Sequence, residues 1–215
     1  MDNLTSPSGK QDSGSLHLTR RFSEAVDYAR CLHIERRKGT GIPYMAHLLG
    51  VASLVMGEAG HAEVPVTEDM VIAALLHDAV EDHGGECRRR DIEANFGTEV
   101  ARMVAGLSDS FEEDPSQKKD WATRKREYVE RLRHEPADVR LISAADKLYN
   151  ARAILEDYRV IGAEVWQRFK RGRNDQMRYF KALLEVFQSF AQCRIVDELT
   201  RVVAELEKLS AKEKP

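Results

Sequence analysis

Four ionisable side chains directly follow an apolar stretch in the first half of the chain. Residues 70–76 read Met-Val-Ile-Ala-Ala-Leu-Leu, and His77, Asp78, Glu81 and Asp82 follow. A buried helix normally excludes such groups, because an unpaired buried charge is costly or becomes neutralised. In one continuous helix, residues four positions apart would share a face, which pairs His77 with Glu81 and Asp78 with Asp82. A divalent metal ion would cancel the charge of this cluster, but a solvated end of a surface helix would also explain it.

Two more ionisable residues interrupt apolar helical patterns elsewhere in the chain, namely His47 and Asp146. Alone, His47 can be a hydrogen-bonded core histidine, and Asp146 can be paired with Lys147 or a nearby arginine. Together with His77 and Asp78 they supply two imidazoles and two carboxylates from three helices. A helical bundle can bring such side chains to one point. The sequence therefore predicts one divalent ion bound by these four residues.

The rest of the pattern is helical. Apolar residues recur at three- and four-residue spacing in most segments between residues 19 and 209, and no segment has the alternation that is typical of strands joined by hairpin turns. Thr67 is a good N-terminus for the helix that contains residues 70–76, and Gly84 with Gly85 would end that helix. We predict an all-α fold.

The composition limits the class of protein. The chain has 215 residues, 32% of them charged, and a formal net charge of −3, so no overall charge attracts it to nucleic acid or an acidic membrane. Its three cysteines form neither a CxxC nor a zinc-ribbon pattern, as expected in a reducing compartment. The sequence has no recognisable signal peptide and no apolar run of ~20 residues. We expect a soluble cytoplasmic protein.

These motifs resemble the HD-domain metal-dependent phosphohydrolases, and more narrowly the alarmone hydrolase domain of RelA/SpoT-type proteins. Residues 36–47 (RRKGTGIPYMAH) are similar to that family's loop and first metal ligand, and residues 73–82 (AALLHDAVED) to its HDxxED segment. Residues 91–97 (DIEANFG) and 145–152 (ADKLYNAR) follow in the family's order. The resemblance covers roughly residues 22–190 and leaves no room for a synthetase domain, so the chain resembles the small alarmone hydrolases related to the animal SpoT-like enzyme.

The resemblance implies a compact HD-domain bundle of about ten helices with one divalent ion, usually Mn²⁺. The ligand types alone do not select manganese over iron, cobalt or zinc. The implied reaction is hydrolysis of the 3′-pyrophosphate of guanosine tetra- or pentaphosphate to GDP or GTP and pyrophosphate. We expect a flexible leader over residues 1–15, the HD domain over 16–192, and an amphipathic helix in 193–215 that packs on it. The expected partner is a small nucleotide, with no nucleic acid or membrane, and the oligomeric state stays open.

Side chains beside these motifs are expected to act on the substrate. Glu81, one turn beyond His77, is expected to orient or deprotonate the attacking water with help from Asp82. A substrate with several phosphates also needs cations and hydrogen-bond donors that do not bind the metal. We expect them from Arg36, Arg37, Lys38, Arg124, Asn150 and Tyr179, although the loop cations could be solvated and the tyrosine could be a core aromatic.

One departure from the family pattern keeps other substrates open. Residues 111–115 (FEEDP) place acids before the basic helix that contains Arg124, where they could repel a polyphosphate or select a different nucleotide. Adenosine alarmones, NADPH and nucleoside monophosphates are therefore alternatives. A nucleotide sensor without turnover is a further alternative, but a protein that only binds does not need the Glu81–Asp82 pair.

Overall fold

The computed structural model describes residues 15–114, 116–189 and 193–211, and within these ranges the all-α prediction is confirmed. Nearly all of the expected leader, residues 1–14, lies outside the described residues. The described helices are α1 Arg20–Leu32, α2 Met45–Gly57, α3 Glu68–Leu76, α4 Ala79–Asp82, α5 Gly85–Phe96, α6 Thr98–Leu107, α7 Trp121–Leu132, α8 Ala137–Ile161, a 3-10 helix Gly162–Arg168, α9 Gly172–Gln188 and α10 Arg194–Ser210.

Helix α3 is the centre of the core. Every residue from Met70 to Leu76 is buried, because α1, α2, α6 and α8 surround the helix. A helix that is apolar on all sides is stable only in such an interior, and each buried Leu or Ile side chain contributes about 1.5–3 kcal/mol. The Thr67 hydroxyl begins the helix as predicted, by accepting a hydrogen bond from the backbone N–H of Met70 at 3.3 Å. The end of α3 is therefore firmly held inside the protein.

The expectation of one continuous helix through residues 77–83 is wrong. Helix α3 ends at Leu76 and α4 begins at Ala79, with His77 and Asp78 in the turn between them. The backbone angles change from −58° and −33° at His77 to −93° and −6° at Asp78. Adjacent residues of a regular helix point about 100° apart, so this break lets two neighbouring side chains converge.

The predicted glycine stop is confirmed at Gly84, which follows His83, the C-cap of α4, with a φ of +117°. Gly85 has a further role. Helix α5 begins at Gly85, whose φ is +52°, and a Cβ atom there would lie 2.0 Å from the Phe111 carbonyl oxygen. The acidic segment therefore packs against the start of α5 at a position that only glycine fits.

The C-terminal helix α10 packs on α8 and α9. Two salt bridges cross these contacts, Arg159–Glu205 at 2.6 Å and Lys181–Glu207 at 2.5 Å. Within the described ranges, every helix is too short or too polar to cross a membrane.

Candidate metal centre and catalytic site

The four predicted ligands meet at one point. Helix α2 supplies His47, the turn between α3 and α4 supplies His77 and Asp78, and α8 supplies Asp146. His47 Nε2 lies 3.1 Å from His77 Nε2, 3.4 Å from Asp78 Oδ2 and 3.3 Å from Asp146 Oδ1. His77 Nε2 lies 3.0 and 3.6 Å from the same two oxygens. The two histidines and Asp146 are buried, so solvent does not account for this cluster.

The cluster fits a cation better than it fits hydrogen bonds. The Nδ1–H of His77 faces the Ala74 carbonyl oxygen at 2.8 Å, so Nε2 is directed into the cluster. Burial opposes protonation of this ring, but Asp78 and Asp146 hold the pKa of His77 well above its usual range, and a metal ion would replace the Nε2 proton. His47 Nε2 has three close acceptors, yet it can carry only one proton. A divalent ion would be contacted by both imidazole nitrogens and both carboxylate oxygens at once. The donor set therefore matches a metal site.

Both carboxyl groups of the cluster are ionised. Burial alone would raise the pKa of Asp78, but the neighbouring histidines hold that pKa well below its usual range. Burial likewise opposes ionisation of Asp146, but the Lys147 ammonium and the histidines hold its pKa well below the usual range. Lys147 is also in direct contact with Asp146 Oδ2. Charged carboxylates are the form that binds a metal ion.

Hydrogen bonds orient the same carboxylates from outside the cluster. The Tyr44 hydroxyl donates to Asp78 Oδ2 at 2.6 Å, and the Asn150 amide donates to Asp146 Oδ1 at 2.6 Å. Arg37 donates to the other end of the Asn150 amide at 2.8 Å. Asn150, expected to contact substrate, thus links the basic loop to a metal-ligand candidate.

Glu81 points toward the loop after α6 and toward α7. Its carboxylate lies 3.3 Å from the Arg124 guanidinium and 3.4 Å from the backbone N–H of Asp109. Asp109 in turn contacts Arg124 and lies 2.7 Å from the Lys125 ammonium. Burial raises the pKa of Glu81, and the charge of Asp109 adds to this effect while Lys125 opposes it. A carboxyl group with a raised pKa is a stronger base when it is ionised.

Asp82 lies beyond Glu81 on the solvent side and is exposed. Partial burial of its carboxyl group, followed by the charges of Asp78 and Glu81, raises the pKa of Asp82 to about 7. The structure thus places both predicted acid–base residues beside the four-donor cluster.

The cluster opens into a polar cavity of about 180 Å³. Its walls include Glu81, Lys125, Lys147 and Tyr179. The Tyr179 hydroxyl is buried and has no hydrogen-bond partner among the described residues, and the Lys125 ammonium lies 5.4 Å from the centre of its ring. This cavity therefore offers two cations and a free hydroxyl to an anionic ligand.

A wider groove adjoins the cavity, and the two share Tyr44 and Asn150. Arg37 and Lys38 line the groove, and the Arg37 guanidinium lies 5.6 Å from the centre of the Tyr149 ring. The exposed Arg36 instead contacts the Gly41 carbonyl within its own loop.

Four side chains that contact the candidate ligands or line the cavity were not among the residues expected from the sequence: Tyr44, Asp109, Lys125 and Lys147. Tyr44 and Lys147 lie inside the resembling motifs, so their position beside a candidate ligand was a usable signal. Lys125 lies in a basic run whose members could not be told apart. Asp109 lies in an ordinary polar loop, and no sequence signal distinguishes it.

The chain is similar to known proteins in sequence and in structure. The family model of the HD domain matches residues 25–192. Guanosine-3′,5′-bis(diphosphate) 3′-pyrophosphohydrolase MESH1 from Mus musculus and from Homo sapiens are each 37% identical over 131 residues, which are 60% of this chain and 66% of the relative. GTP pyrophosphokinase rsh from Brucella suis biovar 1 is 30% identical over 152 residues, which are 66% of this chain and 18% of the relative. The chain thus spans just under two thirds of the MESH1 proteins.

Two solved structures are similar over most of their length. A metazoan ortholog of SpoT that hydrolyzes ppGpp matches with a TM-score of 0.69 and 27% identity, covering 88% of this chain and 97% of that one. A Listeria monocytogenes EGD-e protein matches with a TM-score of 0.62 and 32% identity, covering 75% of this chain and 99% of that one.

The family match includes the His77–Asp78 pair and both helices that supply the other two donors. Hydrolases of this family depend on a metal ion, and the buried histidine–aspartate cluster is suited to hold one. Because the family model covers well over half of the sequence, this chain belongs to the HD domain family.

Proposed function

We propose that this protein hydrolyses the 3′-pyrophosphate of guanosine tetra- or pentaphosphate, giving GDP or GTP and pyrophosphate. The observation that carries this proposal is the convergence of four metal-ligand candidates beside Glu81 and Asp82 in a cavity with two lysines. Relatives named as enzymes of this reaction, and a similar structure described as hydrolysing ppGpp, support the choice of substrate. A cytoplasmic location is part of the proposal, and the free exposed thiols of Cys31 and Cys87 are consistent with it.

The proposed metal ligands are His47, His77, Asp78 and Asp146, and the proposed ion is Mn²⁺. Two imidazoles with two carboxylates suit a hard-to-borderline divalent ion, and manganese is chosen by the family resemblance. When bound, such an ion lowers the pKa of a coordinated water and polarises a phosphate oxygen.

Glu81 is the proposed proton acceptor for the attacking water. The water oxygen forms a bond to the phosphorus that carries the ribose 3′-oxygen, and the bond between that phosphorus and the 3′-oxygen breaks. One water proton passes to Glu81, the leaving 3′-oxygen takes a proton from solvent, and Glu81 then releases its proton to solvent, so GDP and pyrophosphate balance the substrate plus water. Arg124 and the Asp109 N–H hold the Glu81 carboxylate in place. Asp82 lies one residue further on and is the proposed assistant.

The cavity and the groove suggest how the substrate lies. The phosphates would occupy the cavity beside Lys125 and Lys147, and the Tyr179 hydroxyl would donate to a phosphate oxygen. The nucleoside would extend into the groove, where the Arg37 guanidinium can stack on or hydrogen-bond the base. The acids of residues 112–114 are not among the walls of the cavity, and the Glu113 side chain packs near Gly85 instead.

Glu81→Gln tests the mechanism, because the amide keeps the shape of the side chain but cannot accept the proton. We expect turnover of guanosine tetraphosphate to fall by about 10²–10⁴, with Mn²⁺ affinity unchanged since Glu81 lies outside the four-donor cluster. Glu130→Gln makes the same change on the exposed face of α7 and should keep full activity. Full turnover in Glu81→Gln would contradict the proposed role.

A panel of substrates tests the specificity. Mn²⁺-loaded protein is incubated with guanosine and adenosine tetraphosphates, NADPH and nucleoside monophosphates, and the products are separated. Pyrophosphate and GDP from the guanosine compound support the proposal. Turnover of another member alone would assign a different phosphohydrolase activity, and tight binding without any product would indicate a nucleotide sensor.

A further inference from the structure

A second cluster of metal-ligating side chains lies next to the first and shares no residue with it. His33 follows α1, Glu35 precedes the basic loop, and His83 follows α4. His33 Nδ1 lies 2.8 Å from Glu35 Oε1 and 3.2 Å from His83 Nε2, and the same Glu35 oxygen lies 3.5 Å from His83 Nε2. Three potential ligand atoms from two segments, the stretch after α1 and the end of α4, therefore form a closed triangle.

Protons cannot satisfy all three contacts of this triangle. If His33 Nδ1 and His83 Nε2 both carry hydrogen to bond Glu35, the two N–H groups face each other at 3.2 Å. If only one carries hydrogen, the other nitrogen presents a lone pair to the carboxylate. A cation at the centre would be attracted to all three atoms at once.

The expected charge states are those of a metal site. Burial lowers the pKa of His33, which favours the neutral imidazole. Burial opposes ionisation of Glu35, but hydrogen bonds from His33 and from its own backbone hold the pKa of Glu35 below the usual value. Neutral imidazole and ionised carboxylate are the forms that bind metal.

The distances and the ligand types select the kind of ion. Zinc binds imidazole nitrogen and carboxylate oxygen at about 2.0–2.2 Å, so neighbouring ligands of a tetrahedral ion lie about 3.3–3.5 Å apart. Two of the three edges of the triangle, at 3.2 and 3.5 Å, are close to that separation. Two histidines with one glutamate also form a known type of zinc site in which the fourth position stays open.

We propose that His33, Glu35 and His83 bind a second divalent ion of the zinc type, with one coordination position open to solvent. This inference does not depend on the proposed hydrolysis, since it rests only on these three side chains.

The second ion would help to position residues of the first site. The His33 ring stacks on the Tyr44 ring with centroids 5.1 Å apart, and the Tyr44 hydroxyl bonds Asp78. His83 directly follows Asp82. An ion held here ties together the segment that orients Asp78 and the segment that carries Asp82.

Counting bound ions tests the proposal. Metal-free protein is dialysed against Zn²⁺, and in a parallel sample against Co²⁺, and the ions retained per chain are measured by elemental analysis. We expect two ions in the unmodified protein and one in His83→Gln, since the first cluster remains intact. His134→Gln removes a histidine that is 79% exposed and should retain two. One ion in the unmodified protein, or an equal count in His83→Gln, would overturn the proposal.

Glu35→Gln provides an independent test of the site in case His83→Gln does not fold. The Glu35 side chain is 39% exposed and that of His83 is 26% exposed, so neither glutamine variant creates a core cavity. Circular dichroism checks that each variant is folded before ions are counted. Glu35→Gln should also retain one ion, and two ions in that folded variant would exclude Glu35 as a ligand and overturn the three-residue site.

Discussion

Gly50→Ala tests the packing that brings α2 and α8 together at the first metal site. Gly50 lies on α2 three residues after His47, and Tyr149 lies on α8 three residues after Asp146. A Cβ atom at Gly50 would lie 2.0 Å from Tyr149 Cε2 and 2.5 Å from Cδ2. The Tyr149 ring is itself held between Arg37 and the His47 ring, whose centroid is 5.1 Å away. The ring therefore cannot move aside without disturbing its neighbours.

Two opposing effects determine how much Gly50→Ala changes the free energy of unfolding. Carbon atoms attract each other best at about 3.5–4.0 Å, so the added methyl group requires a shift of about 1.5 Å. Forcing extra carbon into a packed contact costs about 1–3 kcal/mol. Alanine in a helix gains up to about 1 kcal/mol over glycine. We expect a net loss of up to about 2 kcal/mol in the free energy of unfolding, and of up to about 8 °C in the melting temperature of a protein of this size.

Thermal unfolding of metal-free protein followed by circular dichroism measures this loss. Gly57→Ala is the matched control, because Gly57 is on the same helix and its Cβ would meet no atom within 4 Å. The control should melt at or above the temperature of the unmodified protein. Gly50→Ala should also bind Mn²⁺ more weakly, since His47 moves relative to Asp146. If both variants melt alike, Tyr149 moves freely and the packing argument is refuted.

Two further predictions concern the carboxylates of the site. Tyr44→Phe keeps the ring but removes the hydroxyl that donates to Asp78, so Mn²⁺ affinity should fall by about 10–100-fold. A titration against a competing chelator measures this affinity. Unchanged affinity would show that the hydrogen bond does not contribute to Mn²⁺ binding. Burial and the charges of Asp78 and Glu81 raise the pKa of Asp82 to about 7 in the metal-free protein, and a bound cation should lower it. Below pH 7, metal binding should therefore release a proton from Asp82, and affinity should rise with pH until that carboxyl group is ionised. Calorimetry in buffers of different ionisation enthalpy counts the protons released. Asp82→Asn should release fewer protons than the unmodified protein, and an equal number would refute the coupling.

The site residues that could be predicted from the sequence are ionisable residues that occur within apolar helical patterns. His47 and Asp146 interrupt apolar helical stripes, and His77 and Asp78 end one. Such a conflict is visible within a few residues, because a buried charge needs a partner wherever the chain folds. The helical fold class was accessible for a similar reason, since its periodicity is local.

Contacts between distant segments were not accessible in this way. The hydrogen bond from Asp109 to Glu81 joins residues 28 positions apart, and the contact of His33 with His83 joins residues 50 apart. Glu81 belongs to a recognisable motif, but its partner Asp109 is an ordinary polar residue of a loop. Both histidines are ordinary polar residues near the ends of helices, so neither contact has a local pattern. Only the packing of α1, α4 and the loop after α6 brings them together.

Helical periodicity indicated the residues of the central motif but wrongly predicted one continuous helix through them. The break between α3 and α4 explains the difference. A continuous helix would direct His77 and Asp78 about 100° apart, which is too divergent for two adjacent side chains to reach one ion easily. In the structure their nitrogen and oxygen atoms lie 3.0 Å apart, because the backbone turns at Asp78. The same turn starts α4, so Glu81 faces Asp109 and Arg124 and His83 faces Glu35. One change in backbone direction thus determines the contacts between His77 and Asp78, those of Glu81 and those of His83. The core packing of α3 holds that turn in place.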